Sequence, residues 1–225
     1  MMKRLFLLST AALAAVVFTT HPAHANQGVS KSEITLGTIQ DLSGPIAGFG
    51  KQVRAGMQLR VDEINEQGGI HGRKLALKVE DSGYDPKRAV LAAQKLVNQD
   101  KIFAMLGHIG TAGNVATFPV LFAKNVINFY PLTGAREMFE EPNRRLKYAF
   151  SVPYYDQTRT GTPRLVKEKG AKKVCAIYQD DEFGLEVVRG AEDGLKDIGM
   201  AMAEKTSFKR GATDFSSQAA RMKAS

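Results

Sequence analysis

The feature that most constrains the fold is a regular alternation of short apolar segments with longer segments of helical periodicity. We predict strands at residues 34–39, 74–79, 102–106, 126–130, 174–178 and 200–208, and helices at residues 50–66, 111–124, 157–169 and 183–197, with two more beginning near residues 86 and 215. Strands and helices that alternate at this spacing are typical of right-handed βαβ units and parallel sheets. We therefore predict an α/β fold.

Local signals support two of these helices and one strand. Asp85 precedes Pro86, which places a capping residue before a proline at the first helical position. The pair Gly68-Gly69 is typical of a helix C-terminus. Cys175, the one cysteine of the sequence, lies in an apolar run and is predicted to be a buried residue of a strand.

The chain divides into three predicted parts. Residues 1–25 have a basic start, an apolar run at residues 5–18 and the sequence Ala23-His24-Ala25, the pattern of a cleaved secretory signal peptide. An N-terminal α/β lobe is expected at residues 26–152 and a second α/β lobe at residues 153–225. The second segment is too short for a doubly wound sheet with its own core, so we expect this lobe to be incomplete.

Charge and motifs argue against nucleic-acid binding and against catalysis. The formal net charge is +8, but the cations are spread along the chain, and the densest patch, residues 143–147, is interpreted as a solvated connector. The sequence has no G-x-S-x-G elbow, no H-E-x-x-H motif and no paired Cys or His at metal-ligand spacing. The glycines of residues 107–113 lack the acidic residue that a dinucleotide-binding fingerprint requires. We expect a protein that is not an enzyme and holds no cofactor.

In open parallel sheets, ligands bind beyond the carboxyl ends of the strands. The loop at residues 107–111 lies there and leads into a helix whose first amides have no partner within the helix, which suits a carboxylate or a phosphate. Thr111 has two interpretations of equal weight. Its hydroxyl either contributes to this anion site or caps its own helix.

Aromatic residues are the other candidates for the site. Tyr154 and Tyr155 lie just after the predicted boundary between the lobes, where they face a cleft or pack between the lobes. Phe49 and Phe183 begin helices at carboxyl-end loops of the two lobes, which would let them cover a ligand from both sides or belong to the core. We select Tyr155, Phe49 and Phe183 as candidate ligand-binding residues.

An ordered set of motifs resembles the leucine/isoleucine/valine-binding protein family, the type I periplasmic solute-binding proteins of ABC transporters. The motifs are ITLGTIQDLSGPIAGFG at residues 34–50, AGM at 55–57, NEQGGIHG at 65–72, LGHIGT at 106–111, YPLTG at 130–134 and DDEFG at 180–184. The resemblance covers nearly the whole chain after residue 25. It implies two Rossmann-like lobes that close on a ligand about a hinge.

The resemblance also implies roles for particular residues. Thr111 matches the hydroxyl position that receives the ligand carboxylate, Leu132 and Gly134 match positions that contribute backbone groups, and Phe49 and Phe183 match aromatic positions that flank the ligand. The leucine binders have a hydroxyl residue where this chain has Gly134, and usually Tyr where it has Phe. A carboxylate without an amine, aromatic or aliphatic, therefore fits as well as an amino acid.

The function implied is that of a monomeric periplasmic receptor that captures a branched-chain amino acid or similar small carboxylate and delivers it to an ABC transporter permease. Two alternatives stay open at this point. The chain is a ligand-sensing module of the same fold, or it is an inactive truncated fragment.

Overall fold

The computed structural model describes residues 27–225, so the predicted signal peptide lies outside the described residues. A five-stranded parallel sheet forms the first half of this region, with the strand order β2-β1-β3-β4-β5. Its strands are β1 (Glu33–Gln40), β2 (Lys74–Asp81), β3 (Ala104–Leu106), β4 (Ile127–Phe129) and β5 (Lys147–Tyr148). The order reverses between β1 and β3, which is the position where open α/β sheets bind ligands.

Three helices cover this sheet. They are α1 (Ala47–Glu66), α2 (Pro86–Asn98) and α3 (Thr111–Phe122). The predicted start of α2 is confirmed, since the Asp85 carboxylate accepts a hydrogen bond from the Arg88 amide at 2.9 Å. The core lies where α2 and α3 meet the sheet, and its fully buried residues include Ile39, Ala93, Leu96, Ile102, Met105 and Leu121.

The second half contains a two-stranded parallel sheet of β6 (Cys175–Gln179) and β7 (Glu204–Phe208). Its helices are α4 (Tyr154–Lys169), α5 (Glu182–Asp197) and α6 (Ser216–Ala224). Helices α4 and α5 pack closely at Gly194. A Cβ atom at this position would collide with the Arg159 carbonyl, so the close approach requires glycine. Residues 149–153, where the predicted lobe boundary lies, connect β5 to α4. Across residues 27–225, none of the helices combines the length and apolar character needed to cross a membrane.

Two helices begin three residues earlier than predicted because contacts outside each helix fix the first turn. Ahead of α1, the Asp41 carboxylate accepts hydrogen bonds from the amides of Gly44 and Ile46 at 2.5 and 2.8 Å. In α4, the Tyr154 amide donates to the Gly134 carbonyl at 2.7 Å. Neither contact is part of the helical periodicity from which the two starts are predicted.

The interpretation of residues 143–147 as a solvated connector is wrong at its C-terminal end. Leu146 and Lys147 are each 4% exposed, and Lys147 begins β5. The Lys147 ammonium donates to the carbonyls of Glu137 and Glu140 at 2.8 and 2.9 Å. The Lys147 ammonium can be buried because these backbone oxygens replace the water molecules that would hydrate it in solution.

The prediction that Cys175 is buried is also wrong. Cys175 and Ile177 are exposed and lie on the same face of β6, since successive side chains of a strand alternate between faces. Helix α5 packs on β6, whereas the opposite face meets Ser225, the residue after α6, at the Cys175 Sγ atom (3.4 Å) and leaves Ile177 44% exposed. An apolar run predicts a strand but not whether both of its faces are covered.

Candidate functional site

A cleft of about 520 Å³ lies between the carboxyl ends of the first sheet and the starts of α4 and α5. Its lining is apolar, aromatic or neutral polar and consists of Ile46, Phe49, Tyr84, Ile109, Gly110, Thr111, Leu132, Thr133, Gly134, Phe150, Ser151, Tyr154, Gln157 and Phe183. Its size and composition are those of a small-molecule site.

Two buried hydroxyl groups form the floor of the cleft. Thr111 and Thr133 are each 2% exposed, and their Oγ1 atoms lie 2.7 Å apart in a hydrogen bond. The N-cap of α3 is Gly110, with Thr111 as the first helical residue and no side chain capping the helix. The interpretation of Thr111 as the cap of its own helix is therefore wrong.

The hydrogen bonds of this pair leave one of its two hydroxyl hydrogens unused. The Thr133 Oγ1 atom also accepts from the Ala135 amide at 3.2 Å. The two hydroxyls carry two hydrogens, and only one of them is used between the oxygens. Within residues 27–225, the second hydrogen has no acceptor. A free buried donor beside the unpaired first amides of α3 is suited to an anionic group.

The loop before α3 is shaped by Gly110 and Tyr84. Gly110 has a φ of +88°, in the left-handed region that favours glycine. A Cβ atom at this position would lie 2.7 Å from Cε2 of the Tyr84 ring, so the ring packs directly on the backbone at the mouth of the site. Burial raises the pKa of the Tyr84 phenol, which therefore stays protonated and able to donate.

Backbone groups of the loop after β4 border the cleft. The Leu132 amide donates to the His108 carbonyl at 2.9 Å, and its carbonyl accepts from the Gly110 amide at 3.3 Å. At Gly134, a Cβ atom would lie 3.0–3.1 Å from the Val152 carbonyl oxygen, the Ser151 hydroxyl and the Tyr154 ring. A larger side chain at residue 134 would therefore require these neighbours to shift.

Aromatic rings form the walls. Phe49 lies in the first turn of α1 and is 54% exposed, and Phe183 lies in the first turn of α5. The Tyr154 ring meets the Phe183 ring edge to face, with centroids 5.1 Å apart. Rings from both halves of the chain thus face one space, which is the arrangement expected for Phe49 and Phe183.

Tyr155 does not lie with the other five predicted residues. Its phenol donates to the Asp193 carboxylate at 2.8 Å, and its side chain lines a separate, polar cavity. Tyr154 faces the ligand cleft instead. Adjacent residues of a helix point about 100° apart, so choosing between them requires the helix phase, which the sequence leaves open.

Several polar and aromatic cleft residues were not selected from the sequence, and among them Thr133 had a usable signal. Thr133 belongs to the YPLTG loop at a strand end, and its hydroxyl is the kind of group that such a site uses. Tyr84, Phe150 and Gln157 lie outside the recognised loops and reach the cleft through tertiary packing.

Two side chains tie the halves of the molecule together beside the cleft. Arg210, two residues after β7, donates to the Tyr84 carbonyl at 3.1 Å, stacks over the Tyr84 ring and forms an ion pair with Asp181. On another side, the Glu186 carboxylate accepts from the amides of Arg136 and Tyr155 at 3.1 and 3.2 Å. Burial raises the pKa of Glu186.

Two α/β halves around an uncharged cleft define a solute-binding fold. The periplasmic binding protein family model matches residues 33–225, and the chain belongs to this family. The predicted type I periplasmic-binding-protein fold and the predicted family are thereby confirmed.

The similar proteins are named as binding proteins for amino acids. The chain is 30% identical to Leu/Ile/Val-binding protein homolog 3 of Brucella melitensis, over 96% of this chain and 56% of the relative. It is 26% identical to the Leu/Ile/Val-binding protein of Escherichia coli K12, over 89% of this chain and 54% of the relative. The chain spans about half the length of the curated relatives it matches.

Solved structures show the same fold. A substrate-binding periplasmic protein from Ralstonia solanacearum matches with a TM-score of 0.78 and 26% identity, over 84% of this chain and 53% of that one. A solute-binding protein from R. palustris, solved in complex with 4-hydroxybenzoate, matches with a TM-score of 0.75 and 22% identity, over 86% of this chain and 51% of that one.

Proposed function

We propose that this protein is a periplasmic receptor that captures a branched-chain amino acid or similar small carboxylate for uptake by an ABC transporter. The observation that carries the proposal is the free hydroxyl donor of the Thr111–Thr133 pair, buried at the start of α3 inside a cleft of neutral residues. Hydrogen bonds to a charged acceptor are about twice as strong as neutral ones, so this donor favours a carboxylate.

The proposal gives each part of the cleft a role. Thr111, with Thr133 beside it, receives the ligand carboxylate, and the backbone of Leu132 and Gly134 shapes the adjoining wall. Phe49 and Phe183 cover the ligand from the two halves of the chain. The names of the Leu/Ile/Val-binding relatives support an amino acid or a related acid as the ligand class.

The remaining parts of the proposal concern the setting of the protein. The predicted signal peptide exports the chain to the periplasm, and the chain acts there as a monomer that delivers its ligand to a permease. Capture and release require no catalytic group, and the cleft lining has no nucleophile–base pair within hydrogen-bonding reach.

Replacement of Thr111 by valine tests the carboxylate site. The Thr111→Val variant loses the hydroxyl but keeps the side-chain shape, and we expect the affinity for the best carboxylate ligand to fall at least tenfold. The matched control is Thr117→Val, which removes a buried hydroxyl of the same helix that donates to the Asn114 carbonyl, away from the cleft. Affinity is measured by isothermal titration calorimetry against a panel of amino acids and carboxylates.

A thermal melt of each variant separates a binding effect from a folding effect. Ligand that binds only the folded state raises the melting temperature by mass action. If Thr111→Val bound the ligand as tightly as wild type, the carboxylate site would lie elsewhere. If no solute of the panel bound wild type, the receptor function itself would be disproved.

A further inference from the structure

Two asparagine side chains are buried beneath the start of α3. Asn114 is the fourth residue of α3 and Asn128 lies in β4, and both are fully buried. The Asn114 Nδ2 atom donates to the carbonyls of His108 and Gly110 at 2.9 and 2.7 Å. Its Oδ1 atom accepts from the Asn128 Nδ2 atom at 3.0 Å. Burying an amide group costs free energy unless it is hydrogen-bonded, and all three bonds of Asn114 serve that purpose.

The partners of Asn114 fix the orientation of its amide. His108 and Gly110 present carbonyl oxygens, which accept hydrogen bonds but cannot donate them. The nitrogen must therefore face these two residues and the oxygen must face the Nδ2 donor of Asn128. A reversed amide would place its oxygen against two carbonyl oxygens. Asn128 thus helps to hold Asn114 in the orientation that clamps the loop.

The two clamped carbonyls belong to the loop at the floor of the cleft. The Gly110 carbonyl also accepts from the Asn114 backbone amide at 3.2 Å. The His108 carbonyl also accepts from the Leu132 amide at 2.9 Å. The side chain of Asn114 therefore joins three segments at one point: the loop after β3, the first turn of α3 and the loop after β4.

This clamp sets the direction of a donor in the cleft. The carbonyl and the N–H of a trans peptide point in opposite directions. Because Asn114 holds the Gly110 carbonyl on the buried side, the Thr111 amide of the same peptide is directed away from Asn114. Gly110 and Thr111 line the cleft, whereas Asn114 lies behind them. A side chain that does not line the cleft therefore controls how the start of α3 faces a ligand.

The loop needs such a contact because of its glycines. Gly107 and Gly110 have φ values of +58° and +88°. Glycine populates positive and negative φ about equally, so these residues do not hold the conformation by themselves. Donors that are already in position before a ligand arrives cost less to organise on binding. Asn114 supplies that organisation because it bonds to both ends of the segment from His108 to Gly110.

We propose that Asn114, oriented by Asn128, is the positioning residue of the carboxylate site. It sets the affinity for the carboxylate of the solute by holding Gly110 and Thr111, and it does not contact the solute. This inference rests on the proposed receptor function and assigns a part in it to two residues outside the cleft lining.

Three variants separate positioning from general stability. Asn114→Ala removes all three side-chain hydrogen bonds. Asn114→Ser restores one of them, because a serine hydroxyl in a helix can donate to the carbonyl four residues earlier, here that of Gly110. Val97→Ala truncates a buried core residue of α2 and is the control for a loss of stability alone. The melting temperature of each variant is measured beside its affinities.

Matched acids and carboxamides are the probes. The pairs are L-leucine with L-leucinamide, 4-methylpentanoate with 4-methylpentanamide, and 3-phenylpropanoate with 3-phenylpropanamide, and any panel acid that binds more tightly enters with its own amide. By calorimetry, we expect Asn114→Ala to weaken the tightest-binding acid at least tenfold and its amide less than threefold. Asn114→Ser should recover at least threefold of the lost acid affinity, although its melting temperature stays close to that of Asn114→Ala. Val97→Ala should melt lower but keep the wild-type ratio of acid to amide affinity.

A double-mutant cycle tests whether Asn128 acts through Asn114. Asn128→Ala alone should weaken acid binding several-fold, because it removes the donor that orients the Asn114 amide. In the Asn114→Ala background the same change should alter the affinity less than twofold. Equal losses in both backgrounds would show that Asn128 acts independently of Asn114. If Asn114→Ala does not fold, Asn114→Ser and Asn128→Ala are compared with wild type, and both should lose acid affinity more than amide affinity.

Each other outcome has a definite meaning. An equal loss for acid and amide in the Asn114 variants, or no recovery in Asn114→Ser, would overturn the inference and leave the receptor function standing. A wild type that binds an amide as tightly as its acid would overturn the carboxylate site together with this inference. If wild type bound none of the acids and no other solute of the panel, the receptor function would fail as well.

Discussion

At the scale of single residues, His108 shows how the site is supported from beneath. It follows β3 and is fully buried, and neither ring nitrogen has a partner among residues 27–225. A Cβ atom at Gly113 would lie 3.2 Å from its Nε2 atom, so the ring fills the space under the first turn of α3. Burial lowers the pKa of His108 to about 3, which keeps the imidazole neutral.

This lowered pKa predicts a loss of stability in mild acid. The unfolded chain binds a proton at this histidine below a pH of about 6.5 and the folded chain does not, so the free energy of unfolding decreases as pH falls through this range. The slope reaches at most about 1.4 kcal/mol per pH unit. We expect His108→Met to abolish this part of the loss between pH 7.5 and 5.5, as measured by urea unfolding.

The control for this experiment is His71→Asn, since His71 is exposed in a turn with a φ of +49° that asparagine tolerates. It should keep the wild-type dependence on pH. An unchanged loss of stability in His108→Met would show that other groups cause it.

The sequence predicts the residue types of the site better than their partners. Spacing places Thr111 at a helix start, but its hydrogen bond to Thr133 joins residues 22 positions apart and requires the folded sheet. The same limit explains Tyr155, which local sequence cannot separate from Tyr154 because the phase of α4 is fixed by the contact between the Tyr154 amide and the Gly134 carbonyl.

At the scale of elements, a side chain of α1 hydrogen-bonds to the backbone of one residue at the edge of the large sheet. Strand β2 is an edge strand, and edge strands expose unpaired backbone groups. Near the end of α1, the Asn65 side chain donates to the Leu75 carbonyl at 2.9 Å and accepts from the Leu75 amide at 2.7 Å. It thus satisfies both outward groups of that residue as a neighbouring strand would.

Removal of the Asn65 side chain should destabilise the backbone of the edge strand β2 at Leu75. We expect Asn65→Ala to lower the free energy of unfolding by about 1–2 kcal/mol, because two partly buried hydrogen bonds are lost. The exchange of the Leu75 amide hydrogen should accelerate. Gln58→Ala, which removes an exposed side-chain contact of the same helix, is the control and should have little effect on either measurement. Unaltered exchange at Leu75 would contradict this role.

The long elements were predictable and the short ones were not. The end of α1 follows from its periodicity and the Gly68-Gly69 pair, α2 from its Asp85-Pro86 start, and α5 from its periodicity alone. Strand β5 has two residues, and the burial of Lys147 depends on the Glu137 and Glu140 carbonyls that receive its ammonium. Three basic residues in five positions resemble a solvated segment until the fold supplies those carbonyls.

At the scale of the whole molecule, the two halves are joined by few side chains beside the connecting segment. Arg210 and Glu186 bind across the boundary at two separate places. Arg210 is 21% exposed and its partner Asp181 is 9% exposed, so this ion pair is screened less than a surface pair. Such ties favour the arrangement in which both halves face one ligand.

We therefore expect Arg210→Ala to separate the halves and weaken ligand binding several-fold. Loss of the contacts to Tyr84 and Asp181 should increase the radius of gyration of the ligand-free protein in small-angle scattering. Arg221→Ala is the matched control, since it removes an exposed ion pair within the second half that is worth at most about 1 kcal/mol. Equal radii and affinities in the two variants would show that Arg210 does not act as a tie.

The exposed position of Cys175 makes the protein suitable for site-specific labelling with a fluorescent dye. It is the only thiol of the sequence and begins β6, while the ligand cleft lies toward the other end of that strand. A maleimide dye would therefore attach at one known point on the second half without entering the cleft. A second cysteine introduced at the exposed Gln58 of α1 would complete a donor–acceptor pair, and energy transfer between the two dyes would report lobe movement as an optical signal.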